Sequence, residues 1–260
     1  MEDQSTRPNP RFPHTLAEVT VMDVERLRPM CIEQDEIAGT REMAQQKDKF
    51  RVRLLSSDTE KREGASLLIE KMYSWRGYHA AKNLDEAPNR ITLVAEFDGH
   101  VYGTITVNLD SPTGLSVDET YPDVMQTLRG QGRRVCEVGK FAVEQSVRSK
   151  RLMGTLFHLL VIYAFRIQKC TDALIEVNPR HRGFYEKYLE FHAAAEERMC
   201  DRVGAPAVLL RLSCETYRER TDELGGRWRD LKDEKSMYKY FFPRAEEDAI
   251  VERLSPANKG

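Results

Sequence analysis

The sequence lacks the cysteine and histidine patterns of a disulfide scaffold or a metal site. Its five cysteines are an odd number in a chain of 260 residues, and no two of them have the C-x-x-C spacing that structural zinc sites commonly use. The six histidines are dispersed along the chain and offer no metal-ligand spacing. We therefore expect reduced thiols and no bound metal.

Long hydrophobic runs and an excess of one charge are also missing. The longest apolar segment, residues 156–165, includes His158 and is much shorter than the about 20 residues needed to span a bilayer. The 40 basic residues are offset by 42 acidic residues, which argues against nucleic acid as a partner. The first eight residues contain no signal-peptide core. These features predict a cytoplasmic protein, with peripheral membrane contact left open.

The length and composition of the chain predict one large domain with two appendages. Residues 1–49 form an N-terminal arm, whose first 14 residues carry three prolines without periodicity and are interpreted as disordered. The rest of the arm, residues 16–44, could hold one or two peripheral helices. Residues 50–213 form the main domain. Residues 214–260 form a charged helical extension, which we expect to pack on the domain because its aromatic cluster at 237–242 needs burial.

Hydrophobic periodicity in the main domain switches between the strand and helix patterns. The predicted elements are, in order: strand 50–55, a helix that follows the capping sequence 57–60 and ends near Gly77, strands 91–97 and 101–108, a short helix at 124–128, strand 134–145, helix 152–168, strand 173–177, a short helix near 184–191, and strands 192–199 and 207–212. Asp98-Gly99 between two of these strands is a strong hairpin signal. A hairpin followed by a strand–helix–strand unit predicts a mixed sheet with helices on its faces.

Two segments are candidate functional regions. Residues 111–132 are too long for a simple turn, and loops of this length in compact domains are usually functional or mobile. The turn before the helix 152–168 is rich in basic residues, among them Arg148, Lys150 and Arg151. A helix start presents unpaired N–H groups and partial positive charge, both of which favour anions. This turn is a candidate phosphate site, and an ordinary crossover with a solvated basic turn is the alternative.

Several motifs around this turn can be compared with known families. Gly154–Leu156 after the basic loop, Asn178-Pro179 and Phe184–Phe191 resemble the acetyl-CoA-type N-acyltransferases of the GNAT superfamily. Within that superfamily, the segment Glu137–Val143 (EVGKFAV) resembles the Glu-x-Ser-Arg-Phe-x-Val strand of the acyl-homoserine-lactone synthases.

Residues 114–121, 128–134 and 237–243 resemble the long-chain N-acyl amino acid synthases, and the whole resemblance covers roughly residues 50–254. It implies the GNAT fold, which is α/β (α+β in some schemes), with a mixed twisted sheet and helices on both faces. It also implies an enzyme that moves a long-chain fatty acyl group from a thioester to the α-amine of an amino acid. An acyl-homoserine-lactone synthase and a non-catalytic lipid-binding or regulatory module of the same fold are the alternatives.

The resemblance also implies a donor site. The acyl-phosphopantetheine thioester would be a co-substrate rather than a tightly bound cofactor. The residues assigned to its binding are Val143, Arg148, Lys150, Arg151, Gly154 and Thr155. The family pattern Q/R-x-x-G-x-G/A keeps only its second glycine here, because Leu152 replaces the first. This departure favours acyl-carrier protein over acyl-CoA as donor and partner, and Arg133 and Arg134 would extend its basic docking face; a solvated basic patch is the alternative.

The resemblance assigns Glu137 to the acceptor amine. A carboxylate on a pocket strand can accept the proton of the amine directly or through water, and burial would raise its pKa into a useful range. An ion pair between Glu137 and Arg133, Arg134 or Lys140 is the alternative. Lys140, which replaces the usual arginine of the family, would hold the carboxylate of the acceptor amino acid as a point charge.

Two further steps are stabilisation of the oxyanion and protonation of the leaving thiolate. A strand distortion and a tyrosine are the candidates for them. Gly139 in the middle of the strand indicates a bulge, beside which the backbone N–H of Phe141 or Val143 would stabilise the oxyanion. Tyr185 would protonate the leaving thiolate, with simple packing beside Phe184 as the alternative.

Three more side chains belong either to the pocket or to the core. In this fold Tyr73 and Tyr78 would line the acceptor pocket, with a core position as the alternative. His158 is interpreted as a hydrogen-bonded core histidine. No cysteine lies in a context that would activate it as a nucleophile, so we expect direct attack by the amine.

Overall fold

One mixed sheet carries the strands of the computed structural model, which describes residues 16–21, 48–55, 59–74, 84, 87–147 and 149–254. The strands are: β1 (Ala17–Val21), β2 (Asp48–Leu54), β3 (Arg90–Phe97), β4 (His100–Leu109), β5 (Val135–Val143), β6 (Asp172–Val177), β7 (His192–Ala193), β8 (Arg198–Cys200) and β9 (Ala205–Ser213). Their order in the sheet is β1-β2-β3-β4-β5-β6-β9-β7, with β8 also on β9. Among these described strands only β5 and β6 pair in parallel.

Helices cover the two faces of this sheet. They are: α1 (Thr59–Ser74), α2 (Val117–Thr120), α3 (Pro122–Gly130), α4 (Lys150–Val161), α5 (Arg182–Leu189), α6 (Cys214–Leu224) and α7 (Arg244–Leu254). A π-helical turn at Ile162–Ile167 continues α4, and a 3-10 turn lies at Met237–Tyr240. The predicted mixed sheet with helices on both faces is confirmed.

The predicted hairpin is confirmed at β3 and β4. Asp98 and Gly99 connect the strands and both have positive φ, 47° and 78°, which is the backbone of a type I′ turn. The twist of such a turn matches the twist of the strands that it joins, so the Asp-Gly pair fixes their register locally.

Side chains alternate between the two faces of the sheet, and the faces differ in character. On the first face the apolar side chains pack under α4 and the C-terminal elements. The second face carries two separate apolar clusters, one around α1 with Val94 and Ala142, the other around α2 and α3 with Val135 and Leu174. On β5, Glu137 lies between these clusters and faces the same side. The second face is therefore apolar at both ends and polar in the middle.

The C-terminal residues 214–254 pack on the outer side of α4. A Cβ on Gly154 would meet Tyr240 Cβ at 3.0 Å, so this glycine allows the 3-10 turn to approach the helix closely. His158 is fully buried, and its Nδ1 accepts a hydrogen bond from the Phe242 N–H at 2.8 Å. The interpretation of His158 as a core histidine is confirmed. In the described ranges, no helix is long and apolar enough to cross a membrane.

Two elements differ from the predictions. Residues 17–21, at the start of the segment 16–44 that could hold one or two helices, form β1 and pair with β2 in the register Val19↔Phe50, because Val19, Thr20 and Val21 are β-branched and suit a sheet edge. The strand predicted at 192–199 is two short strands, β7 and β8, which pair with β9 on either side of the four residues 194–197. The disordered segment predicted at 1–14 and the helices considered possible within 22–44 lie outside the described residues.

A buried carboxylate joins the strands at one end of the parallel pair. Asp172 on β6 is fully buried and accepts hydrogen bonds from Arg133 Nε, Arg211 Nε and the Thr171 hydroxyl, each at 2.6 Å. Burial works against its ionisation, but the hydrogen bonds with Arg133, Thr171 and Arg211 hold the pKa of Asp172 below its usual value. Asp172 is therefore a charged anchor of the sheet.

Asp172→Asn is expected to destabilise the protein by about 3 kcal/mol, because it leaves two guanidinium groups beside a neutral amide. Asp123→Asn is a matched control, since Asp123 pairs with Arg198 at the surface and such exposed pairs contribute little to stability. Urea unfolding monitored by circular dichroism measures both. Equal effects of the two substitutions would contradict the anchoring role.

Candidate active site

The parallel strands β5 and β6 separate beyond Glu137. They pair at three positions only, from Val135↔Asp172 to Glu137↔Leu174. Beyond this point β5 continues to Val143 and β6 to Val177 without further pairing between the two described strands. Glu137 therefore occupies the last paired position before a gap opens in the middle of the sheet.

A bulge bends β5 at this gap. Thr106 of β4 pairs with Gly139, whereas Thr104 pairs with Ala142, so β5 contains one extra residue between these positions. Lys140 lies in the bulge with a positive φ of 48°, and its carbonyl accepts a hydrogen bond from the Thr104 hydroxyl at 2.7 Å. The predicted bulge is confirmed, although the left-handed residue is Lys140 rather than the glycine.

Glu137 is buried and weakly acidic. Its side chain is enclosed, with 7% of the residue exposed, and its Oε2 accepts a hydrogen bond from the Ser116 N–H at 2.8 Å. Burial raises the pKa of Glu137 to about 7; the Ser116 N–H and the positive charge of Arg202 act in the opposite direction, while the negative charge of Glu176 adds to the rise. A carboxyl group with this pKa can exchange a proton near neutral pH.

The arginines considered as partners of Glu137 are engaged elsewhere. Arg133 binds Asp172, and Arg134 Nη2 donates to the Gln168 carbonyl at 2.7 Å. The positions of Arg133 and Arg134 also correct the prediction that they extend the basic docking face at the turn before α4. Both arginines precede β5, whereas the turn follows it, and the nine residues of this strand separate the arginines from the turn by roughly 30 Å.

The helix start after β5 is capped by the protein itself. The Ser149 hydroxyl accepts from the Leu152 N–H at 3.0 Å, and the Ser149 carbonyl accepts from the Met153 N–H at 3.0 Å. Gly154 and Thr155 are buried one turn further into α4, where Gly154 contacts the C-terminal segment. This placement gives Gly154 a packing role, and the contact of Gly154 and Thr155 with the donor stays a prediction.

Two arginines and a tryptophan define the surface beside this helix start. The Arg151 guanidinium lies 5.0 Å from the centre of the Trp228 ring, and the Arg229 guanidinium lies 4.7 Å from it, both within cation–π distance. Burial and the positive charge of Arg229 lower the pKa of Arg151. Lys150 is adjacent, whereas Arg148 lies outside the described residues. Trp228 and Arg229 belong to the C-terminal extension and were not predicted for this site.

An aromatic chain leads from the bulge into the core. The rings of Phe141 and Phe157 have centroids 4.7 Å apart, and that of Tyr185 lies 6.2 Å from Phe157. The Glu144 N–H donates to Tyr102 of β4, and since N–H directions alternate along a strand, those of Phe141 and Val143 point towards β6. The expected oxyanion donors therefore face the gap, while Tyr185 packs in the core beside Phe184 at 5.1 Å.

Tyr73, Tyr78 and Lys140 are the residues predicted to bind the acceptor. Tyr73 is partly buried and packs against the cluster around α1; Tyr78 lies outside the described residues. Lys140 lies in the bulge. Its role with the acceptor and that of Tyr73 stay predictions.

Residues 111–132, called the cover segment, contact Glu137 through the Ser116 N–H. Three residues near Glu137 were missed: Ser116, Glu176 and Arg202. Glu176 could have been found, since it lies two positions after Leu174 on the same face of β6. Ser116 acts through its backbone, and Arg202 lies in the turn between β8 and β9, so neither has a signal in the sequence.

A central parallel pair that splays at a bulge, next to a helix start, is the architecture of the GNAT N-acyltransferases, and the chain is an enzyme of this class. A family model described as "N-acyl amino acid synthase FeeM" matches residues 64–213. The chain belongs to this family of N-acyl amino acid synthases.

The chain is also similar to solved structures. FeeM, an N-acyl amino acid synthase from uncultured soil microbes, is 26% identical with a TM-score of 0.60, over 66% of this chain and 94% of that chain. An acyl-CoA N-acyltransferase from Pseudomonas aeruginosa is 16% identical with a TM-score of 0.45, over 63% and 98% of the two chains. The acyl-homoserine-lactone synthase LasI is 13% identical with a TM-score of 0.45, over 64% and 90%. No curated protein sequence matches the chain significantly.

Proposed function

We propose that the protein transfers a long-chain fatty acyl group from a phosphopantetheine thioester to the α-amine of an amino acid, with Glu137 as the base. The observation that supports this most is the buried Glu137 with a pKa of about 7 at the point where β5 and β6 separate. An amino acid enters as an ammonium ion, which cannot attack a carbonyl. The ionised Glu137 takes one proton from it, directly or through water.

The amine nitrogen then attacks the thioester carbonyl carbon. The developing oxyanion is stabilised by the backbone N–H of Phe141 or Val143 at the bulge. When the tetrahedral intermediate collapses, the C–S bond breaks and the new C–N bond remains as an amide. The nitrogen gives up its second proton to water, and the leaving thiolate takes a proton from Tyr185 and leaves as the thiol. Water returns a proton to the tyrosinate, and Glu137 releases the first proton to solvent, so that one proton is released for each amide formed. The acceptor carboxylate is held by Lys140, and Tyr73 and Tyr78 line its pocket.

We further propose that the donor is an acyl-carrier protein rather than acyl-CoA. The basic residues Arg151 and Arg229 lie against the Trp228 ring, and Lys150 is the first residue of α4; such a surface is complementary to an acidic carrier. Leu152 replaces the first glycine of the pyrophosphate-binding pattern. The four described cysteines are free thiols, which supports a cytoplasmic location for the reaction.

The proposed reaction is tested by incubating the purified protein with acyl-carrier protein loaded with C12 to C18 acyl groups and with a mixture of amino acids. Mass spectrometry is expected to detect N-acyl amino acids. A lactone formed with S-adenosylmethionine, and no acylated amino acid, would instead identify an acyl-homoserine-lactone synthase. Absence of any acyl transfer with either acyl-carrier protein or acyl-CoA would identify a non-catalytic module.

The donor surface leads to a separate prediction. The double variant Lys150→Glu, Arg229→Glu is expected to lower kcat/KM for acyl-carrier protein about tenfold at low salt, because it reverses two charges on the docking face. The rate with the small donor acyl-pantetheine should stay unchanged. Lys169→Glu is the matched control, since Lys169 is exposed beyond the other end of the same helical segment. Equal losses with both donors would contradict carrier docking at this surface.

A further inference from the structure

The backbone N–H and the backbone carbonyl of Ser116 both form hydrogen bonds at the candidate site. Its N–H donates to Glu137 Oε2 at 2.8 Å, and its carbonyl accepts from Arg202 Nη1 at 2.7 Å. Ser116 is the residue that immediately precedes α2 in the cover segment. A single residue of this segment thus connects the proposed base to an arginine in the turn between β8 and β9.

The same arginine also binds the second face of the sheet. Arg202 Nη2 lies 3.2 Å from Glu176 Oε2, and Nη1 lies 3.6 Å from Glu119 Oε2. Glu176 is enclosed, with 6% of its side chain exposed, and it also accepts from the Thr120 hydroxyl at 3.3 Å. Arg202 therefore bridges the cover segment and the strand β6 that borders the gap.

We propose that Arg202 is a positioning residue for acyl transfer, which holds the Ser116 N–H on the Glu137 carboxylate and neutralises Glu176 beside it. This inference rests on the proposed function, in which Glu137 is the base. Glu137 performs the proton transfer, and Arg202 sets the geometry and the electrostatic field in which it does so.

The charges around Glu137 determine the direction in which each substitution should shift its pKa. Arg202 lowers the pKa of Glu137, and Glu176 raises it. Glu119 faces Arg202 from α2, the thiol of Cys136 is adjacent on β5, and Lys140 lies three residues further along the strand. Removing the positive charge of Arg202 should raise the pKa of Glu137, whereas removing the negative charge of Glu176 should lower it.

The test is the pH dependence of kcat/KM for acyl transfer. In the wild type its acidic limb should have a midpoint near the Glu137 pKa of about 7. Arg202→Gln is expected to move this midpoint by about one pH unit to higher pH, with about a fivefold loss at pH 7 that is recovered at pH 9. Glu176→Gln is expected to move it to lower pH, and the double variant should return it towards the wild-type position.

Arg198→Gln is the matched control. Arg198 on β8 also holds the cover segment, through the Thr120 carbonyl at 3.1 Å and an ion pair with Asp123, but it is not among the charges that act on Glu137. This variant should loosen the cover segment without moving the acidic limb. If Arg202→Gln and Arg198→Gln alter activity alike with no shift, Arg202 has a structural role only.

The outcomes separate the two proposals. An inactive Glu137→Gln variant together with an unshifted Arg202→Gln profile would overturn the positioning role and leave the base in place. A fully active Glu137→Gln variant would overturn the base itself. Should Arg202→Gln fail to fold, the shift of Glu176→Gln decides, because an unmoved or alkaline-shifted limb in that variant contradicts the proposal.

Discussion

Replacing Glu137 with glutamine is expected to lower kcat/KM for acyl transfer by roughly 10²–10⁴-fold, the usual contribution of a positioned base. The amide keeps an oxygen to accept the Ser116 N–H and keeps the volume of the side chain. It cannot take a proton from the acceptor ammonium. The loss should appear in kcat/KM at every pH at which the wild-type carboxyl group is ionised.

The same substitution should stabilise the folded protein at alkaline pH. The pKa of Glu137 is raised from 4.5 to about 7 in the folded state, mainly by burial, so the folded protein holds a proton that the unfolded chain has already released. The free energy of unfolding therefore falls as the pH rises from 4.5 to 7, and it stays lower above that range. The difference corresponds to about 3 kcal/mol.

Thermal unfolding at pH 5 and pH 8 measures this effect. Glu137→Gln should unfold at about the wild-type temperature at pH 5 and at a clearly higher temperature at pH 8. Glu96→Gln is the matched control: Glu96 is also a buried carboxylate of the sheet, but it forms ion pairs with Arg53 and Lys61. Its neutralisation should destabilise the protein and spare activity. If Glu137→Gln is less stable than the wild type at pH 8, the burial of the ionised Glu137 carboxylate does not destabilise the folded protein, and the prediction is wrong.

Local signals in the sequence predicted the parts of the site that depend on residue type. The Asp-Gly turn, the long apolar helix, the bulge beside Gly139 and the buried histidine His158 are each encoded in a few adjacent residues. Glu137 was placed on the correct strand for the same reason. Its burial follows from the alternation of the strand and from the long loop that covers it.

The parts of the fold and of the candidate site that the sequence did not predict depend on contacts between distant segments of the chain. The edge strand β1 forms because β2 offers an unpaired edge, and its own sequence is too short and irregular to reveal a period. Ser116 reaches Glu137 across 21 positions of the chain, and Arg202 reaches Ser116 across 86. A backbone N–H has no sequence signature, and an arginine in a surface turn has many possible partners. Such contacts are decided by the fold as a whole.

Gly139→Val is expected to abolish most of the activity, by at least about 100-fold, without unfolding the protein. Gly139 lies on β5 two residues after Glu137 and on the same face, next to the gap. A Cβ added there would meet no atom of a described residue within 4 Å, and its φ is not among the positive ones. Valine is therefore compatible with the backbone and suits a strand, but its methyl groups would occupy the space in which the thioester and the amine must meet.

Gly103→Val is the matched control for this variant, because Gly103 lies on the adjacent strand β4 opposite Val143. A Cβ there would meet Leu156 Cδ1 at 3.1 Å and Ala95 Cβ at 3.3 Å, so the substitution should destabilise the protein by about 1–3 kcal/mol through overpacking. Thermal unfolding and kcat should thus separate the two glycines. Gly139→Val is expected to be stable and inactive, and Gly139→Ala, with a single methyl group, should lie between it and the wild type. Full activity in Gly139→Val would show that the reacting atoms meet elsewhere, and the gap between β5 and β6 would then lose its assignment as the site of acyl transfer.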